Sequence, residues 1–353
     1  MDYDYPLLQR VLSQFKDHNK DVSDIYLVCC QHLLEPQLKM FESLIDFGFD
    51  PRKMIVLGKA YSTNHGVFED FERKGIKVSQ PKFTGASFDY EHENNCRMIL
   101  NLTPRDAETI LLDDGAELIK IFLNAKRSVI FAVEQTSSGF RKLENDQMSF
   151  PVVNVARSAT KLVQESPLVA HLCFERINQY FVDKNIDNPS ILVVGLGPIG
   201  EATVEIFRQN KFTVDGFDVR HGHRDLLSFI LNKKPDVILG ATGSNILSKD
   251  EVEQTVSDKP LYLISVSSSD REFPVASFRG EGEIHRDVSY KNLIFVNNGF
   301  PITFKGNRYE LTPVEIEKTI CLLGGSILDG IVNGIKGTGL VNVSENLEKL
   351  INQ

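Results

Sequence analysis

The run Ile191-Leu-Val-Val-Gly-Leu-Gly-Pro-Ile-Gly200 constrains this chain more than any other feature. Its apolar start reads as a buried parallel strand, and Glu201-Ala-Thr-Val-Glu-Ile-Phe-Arg208 beyond it reads as a helix. Between them stand Gly195, Gly197 and Gly200 at the spacing a dinucleotide-binding turn requires. The first glycine makes a tight turn, the second lets backbone approach a pyrophosphate, and the third lets helix and strand pack closely. The helix start then offers N–H groups to the anion. A second strand, Phe212-Thr-Val-Asp-Gly-Phe-Asp218, ends on an acid 18 residues past Gly200, where a carboxylate should meet the adenosine ribose of NAD. Arg220 offers a place for the extra phosphate of NADP, but Asp218 would repel it, so the reading is NAD.

At 353 residues the chain exceeds one ordinary core, and two domains are expected. A net charge of −9 argues against nucleic acid or an anionic membrane as partner, since both need a basic footprint. No apolar run approaches the roughly 20 residues that span a bilayer. The start, Met-Asp-Tyr-Asp-Tyr-Pro, lacks the basic and apolar segments of a signal peptide. The five cysteines, Cys29, Cys30, Cys96, Cys173 and Cys321, form no CxxC pair. Reduced thiols in a cytoplasmic protein fit this pattern, and no metal site is expected. His221-Gly-His223 reads as surface rather than as a metal ligand pair.

Strands alternate with helices along the chain, which implies an α/β protein with parallel sheets whose ligands sit beyond the strand C-termini. Strands are expected at 25–30, 54–57, 76–78, 109–115 and 129–133, and helices at 5–20, 36–47, 64–74, 91–101 and 115–125. His32, Asp113, Asp114, Glu134 and Gln135 fall at such strand ends. A long helix over about 158–182 leads into the nucleotide unit. The expected organisation is a substrate domain with a parallel sheet over residues 1–170, completed by a C-terminal helix within about 310–353, and a Rossmann NAD-binding domain over 171–309.

Three segments together resemble the S-adenosylhomocysteine hydrolases: Leu112-Asp-Asp-Gly-Ala-Glu-Leu118, Val133-Glu-Gln-Thr-Ser-Ser-Gly139 and Pro151-Val-Val-Asn-Val-Ala-Arg-Ser-Ala-Thr-Lys161. Gln31-His32-Leu33, Ala60-Tyr-Ser-Thr63 and Ala241-Thr-Gly-Ser-Asn-Ile-Leu247 are also similar to elements of that family. The resemblance implies tightly held NAD that transiently oxidises a ribose 3′-hydroxyl, with elimination and hydration at the 5′ position of a nucleoside. It implies a small nucleoside-like substrate and a homo-oligomer. His32, Asp114, Lys161 and Glu165 match catalytic positions of the family, and Glu134 and Gln135 match substrate contacts. Thr136, Ser137, Ser138, Thr242, Gly243 and Asn297 match further cofactor contacts beside Gly195, Gly197, Gly200 and Asp218.

The departures are equally specific. Glu165 replaces an aspartate, Ser166 an asparagine, Gln135 an acid, Ser268 a histidine and Leu34 a threonine, and Pro36 follows. The hydride-transfer end is thus kept while the end that recognises adenine and homocysteine is rebuilt, which implies a different or truncated nucleoside or sugar as substrate. Three other readings remain open: a true S-adenosylhomocysteine hydrolase with a compact, divergent pocket, an NAD-holding regulatory paralogue without catalysis, and a plain NAD-dependent dehydrogenase.

Overall fold

A computed structural model describes residues 3–16, 20–79, 81, 83–222, 225–267 and 269–353, without the side chains of residues 164–166 and 221. The strands are β1 (Tyr26–Cys30), β2 (Met54–Leu57), β3 (Lys77–Ser79), β4 (Thr109–Asp113), β5 (Val129–Glu134), β6 (Pro151–Asn154) and β7 (Ile191–Val194). They continue with β8 (Val214–Phe217), β9 (Val237–Gly240), β10 (Leu261–Ser265), β11 (Val288–Tyr290), β12 (Leu293–Phe295) and β13 (Gly339–Asn342). The chain is a two-domain α/β protein. One unit comprises Met1–Lys82, His92–Val163 and Asn307–Gln353, and the other Phe83–Glu91 and Gln164–Gly306.

The first unit carries a seven-stranded sheet in the order β13-β6-β5-β4-β1-β2-β3, with every neighbouring pair parallel. Its central strands read as continuous apolar runs, such as Met54-Ile-Val-Leu57, because helices cover both faces. One face packs Cys29, Leu112 and Val133 against Phe41, Phe71, Leu322 and Leu323. The other packs Cys30, Leu111 and Ala132 against Cys96, Ile119 and Phe122. Leu322 and Leu323 come from the helix Pro313–Asn333, which starts at a capping box of Thr312 and Glu315 with Pro313 in its first turn.

The second unit carries a six-stranded sheet in the order β11-β12-β10-β9-β7-β8, parallel except for the pair β11–β12. In each sheet the chain lays down strands on one side of its first strand and then crosses to the other. The crossing falls between β1 and β4 in the first unit and between β7 and β9 in the second. Ligands of open α/β sheets bind beyond the strand C-termini at such a crossing.

The first helix is shorter than the expected 5–20, running Pro6–Ser13. The helix Ser137–Leu143 and the strands β6 and β13 had no counterpart in the sequence reading. No helix among the described residues is long and apolar enough to cross a membrane.

Candidate functional site

In the second unit, β7 runs into Gly195, whose φ of +94° favours glycine. A side chain there would also stand 2.7 Å from Thr242 Cγ2 in the loop after β9. Gly200 lies in the first turn of the helix Pro198–Gln209, and a Cβ on it would sit 1.8 Å from the Gly195 carbonyl oxygen. Helix and loop therefore touch only because this residue is glycine. Gly197 differs from both, for a Cβ there meets nothing within 4 Å. The loop presents open space at its second glycine, and no side chain caps the helix start that follows. These are the three separate demands of a pyrophosphate cradle.

Asp218 follows β8 and is buried. Its Oδ2 accepts from the Leu196 N–H at 2.8 Å and from Arg220 Nη2 at 2.7 Å. Its Oδ1 accepts from the Arg220 N–H at 2.8 Å and from Arg220 Nε at 3.0 Å. Hydrogen bonds from Arg220 hold this carboxylate well below its usual range, against a smaller opposing effect of burial.

The loop after β9 is fixed by a residue that the sequence reading missed. Glu272 is buried, and it accepts from Thr242 Oγ1 at 2.8 Å, from the Gly243 N–H at 2.5 Å and from Ser267 Oγ. Burial raises its pKa despite these donors. Asn297, expected as a cofactor contact, uses its side chain to hold a neighbouring loop. Its Nδ2 donates to the carbonyls of Pro301 at 2.9 Å and Phe304 at 3.0 Å, and its Oδ1 lies 3.0 Å from His285 Nδ1. Ser268, His223 and the side chains of Glu165, Ser166 and His221 lie outside the described residues.

In the first unit the register puts Asp113 beside Glu134 and Glu134 beside Asn154 at the C-terminal edge of the sheet. One residue further along, Asp114 stands across the crossing from His32. His32 Nε2 is 3.1 Å from Asp114 Oδ2, and its Nδ1 is 2.5 Å from Ser62 Oγ. Lys59, buried and two residues past the end of β2, pairs with the other carboxylate oxygen, Asp114 Oδ1. Burial alone would raise Asp114, but Lys59 and then His32 outweigh it and hold the carboxyl well below its usual range. Burial likewise works against the Lys59 cation, and Asp114 reverses that, so its pKa rises.

The sequence reading passed over Lys59 and Ser62 as individual residues. Lys59 follows Gly58 directly after the apolar run Met54–Leu57, so the strand-end rule that picked out His32 would have found it.

Asp113 accepts from the Asp114 N–H at 2.8 Å and from the Ile119 N–H at 2.9 Å. Burial and the nearby Glu117 push its pKa up to about 7. Glu134 uses one oxygen heavily: Oε1 accepts from the N–H groups of Gly115 at 3.2 Å and Thr136 at 2.7 Å, and from Thr136 Oγ1 at 2.7 Å. Its Oε2 is buried without a hydrogen-bond partner. Burial, then Asp113, push the Glu134 pKa well up.

Thr136 caps the helix Ser137–Leu143 by accepting from the Gly139 N–H at 2.9 Å, with Ser137 and Ser138 in its first turn. Lys161 Nζ donates to the Gln135 carbonyl at 2.6 Å, which brings the start of the helix Ala159–Lys184 to the end of β5. Both amide atoms of the Gln31 side chain, Gln135 Oε1 and Asn154 Oδ1 are buried without partners. Buried polar atoms are nearly always satisfied in a finished structure, so this edge carries unmet capacity for a polar ligand.

No family model matches the chain. It is 33% identical over 350 residues to two uncharacterized proteins of Mycobacterium tuberculosis, MT0113 of strain CDC 1551 / Oshkosh and Rv0104 of strain H37Rv. The match covers 92% of this chain and 67% of each relative. Similar solved structures include an NAD-dependent formate dehydrogenase from Staphylococcus aureus, 12% identical at a TM-score of 0.41 over 91% of this chain and all of that one (100%). Another is a 3-phosphoglycerate dehydrogenase with bound NAD from Entamoeba histolytica, 12% identical at a TM-score of 0.40, covering 88% of this chain and 96% of that one. A third is a D-isomer specific 2-hydroxyacid dehydrogenase from Lactobacillus delbrueckii ssp. bulgaricus, 11% identical at a TM-score of 0.35, covering 88% and 99%.

These neighbours correct the expectation of an S-adenosylhomocysteine hydrolase and of hydrolase or lyase chemistry, for they are dehydrogenases. A physical reason lies in the acid–base groups that the resemblance singled out. Asp114 is pinned between Lys59 and His32 and kept ionised, and both ring nitrogens of His32 are engaged. A strongly stabilised carboxylate is a poor proton acceptor, whereas elimination needs a free base.

Proposed function

The chain belongs to the family of the uncharacterized Mycobacterium tuberculosis proteins MT0113 and Rv0104, and we propose that it is an NAD-dependent oxidoreductase acting on a small hydroxyl-bearing substrate or its ketone. The glycine loop after β7 carries this reading. Gly195 turns, Gly200 admits the helix, and Gly197 leaves the approach open. Asp218 then stands at the end of the next strand, as adenosine recognition requires. Thr242 and Gly243 border the same loop, held there by Glu272.

The cofactor would accept or return a hydride. The first unit supplies the polar groups for the substrate. Lys161 exchanges or orients the hydroxyl proton, while the His32 imidazole, held by Asp114 and Ser62, lines the same strand ends and Lys59 fixes Asp114 in turn. Glu134 and Gln135 offer hydrogen bonds to the substrate, and Thr136, Ser137 and Ser138 form the adjoining helix start. Glu134 Oε2 is buried without a protein partner, and its raised pKa favours the protonated, donating form.

The test is calorimetric titration of the full chain with NAD and NADH, beside Gly197→Val. The valine Cβ meets no neighbour, and the local φ of −80° suits any L-residue, so the variant folds. Its side chain fills the space that the pyrophosphate needs, and affinity should fall by at least about tenfold. Absence of dinucleotide binding by the wild type, or equal binding by the variant, would overturn the reading.

A further inference from the structure

The acid that should take the adenosine ribose is already fully engaged. An ionised carboxylate offers about four acceptor positions, and Asp218 fills them with the N–H groups of Leu196 and Arg220 and with Nε and Nη2 of Arg220. A ribose diol donates two O–H groups, so two of these donors must leave before it binds. The backbone N–H groups are fixed by the loop. The guanidinium is free to turn, because its side chain is 64% exposed while that of Asp218 is only 6% exposed. Arg220 Nη2 also reaches across the glycine loop to the Leu196 carbonyl at 2.9 Å, and so lies over the adenosine end of the cradle.

We infer that Arg220 is a latch that competes with the ribose diol for Asp218 and sets the choice between NAD and NADP. This rests on the dinucleotide reading above. When NAD binds, the diol displaces the guanidinium. When NADP binds, the displaced guanidinium pairs with the 2′-phosphate and offsets the repulsion from Asp218. The chain therefore accepts both cofactors with a weak preference, unlike a site in which the acid stands alone.

Calorimetric titration of the wild type, Arg220→Ala and Arg220→Lys with NAD and NADP tests this without reliance on turnover. Arg220→Ala should bind NAD more tightly, having lost the competitor. It should bind NADP more weakly, so the NAD-over-NADP ratio rises by about tenfold or more, the size of one charge-assisted hydrogen bond. Arg220→Lys cannot bridge both carboxylate oxygens yet keeps its charge, so it should gain NAD affinity and retain NADP binding. Weaker NAD binding by Arg220→Ala, or an unchanged ratio, would overturn the latch while leaving the cofactor assignment standing. A wild type that binds neither dinucleotide would overturn the cofactor assignment itself, and the latch with it.

Discussion

Replacing Lys59 by methionine is the sharpest probe of the first unit. Lys59 and Asp114 are each 3% exposed, and each meets the other at full contact. Methionine keeps most of the side-chain volume and removes the charge. Asp114 is then a buried carboxylate with His32 as its remaining side-chain partner, and stranding one member of a buried pair costs about 3–5 kcal/mol. For a unit of this size that corresponds to a fall in Tm on the order of 10 °C.

The pH dependence gives the signature. In the wild type, Asp114 titrates below its unfolded value, so its contribution is present above about pH 4 and is lost only as pH falls through the lower folded value. Lys59 titrates above its unfolded value, so its contribution persists until pH rises past about 10. The pair is therefore intact across the neutral range. In Lys59→Met nothing but His32 opposes the burial of Asp114, and the carboxyl takes up a proton more readily. The deficit should be largest near pH 8 and shrink toward pH 5. Urea unfolding followed by circular dichroism at both pH values measures it, and the double variant Lys59→Met/Asp114→Asn should recover much of the loss. A deficit below about 1 kcal/mol at pH 8, or one that does not change with pH, would refute the assignment of this pair as the anchor of His32.

Gly200→Ala should destabilise the second unit by about 1–3 kcal/mol, because its Cβ overlaps the Gly195 carbonyl; thermal unfolding reads the loss and NAD titration the accompanying fall in affinity. Glu134→Gln keeps an acceptor oxygen for the N–H groups of Gly115 and Thr136 and removes a carboxyl whose charge burial disfavours, so it should change stability by less than about 1 kcal/mol, whereas Glu134→Ala strands those N–H groups and should cost about 1–3 kcal/mol. The folded pKa of Asp113 lies near 7, above its unfolded value, so folding takes up a proton there and its contribution falls as pH rises from about 4 to 7. Asp113→Asn should therefore flatten that part of the stability profile in urea titrations. Lys161→Ala should retain NAD binding by calorimetry yet lose cofactor reduction, read as absorbance near 340 nm, with any hydroxyl compound that the wild type oxidises.

The glycine loop was legible in the sequence because Gly195 and Gly200 answer steric demands that no other residue meets, with Gly197 between them at the expected spacing. The doubly covered strands were legible as well, as unbroken apolar runs. Other parts depend on partners far along the chain. Lys59 reads in isolation as a solvated charge, and only Asp114, 55 residues away, explains its burial. Arg220 sits two residues from Asp218 and raised the question of NADP, but that it fills the acid's acceptor positions follows from the turn of the backbone, not from spacing. β13 escaped notice because it is an edge strand of partly exposed residues, paired only with β6, and its short run carries neither clear alternation nor a buried apolar block.

The two sheets share one topological rule and use it differently. Each reverses its direction of growth beside its first strand, so the loops leaving neighbouring strands diverge and open a crevice. After β7 the chain fills that place with glycines, which offers backbone N–H groups and room, the requirements of a diphosphate that carries its own charge and shape. After β1 the corresponding position holds Gln31 and His32, with Lys59 and Asp114 from the adjoining strand ends. Here the strand ends offer side chains, and the Gln31 amide among them is buried without a partner for either atom. Backbone donors are indifferent to what lies beyond the phosphates, whereas converging side chains select by position and protonation state. The two sheet ends thus differ in what they present: the second unit offers backbone donors and open space, the first a convergence of polar side chains.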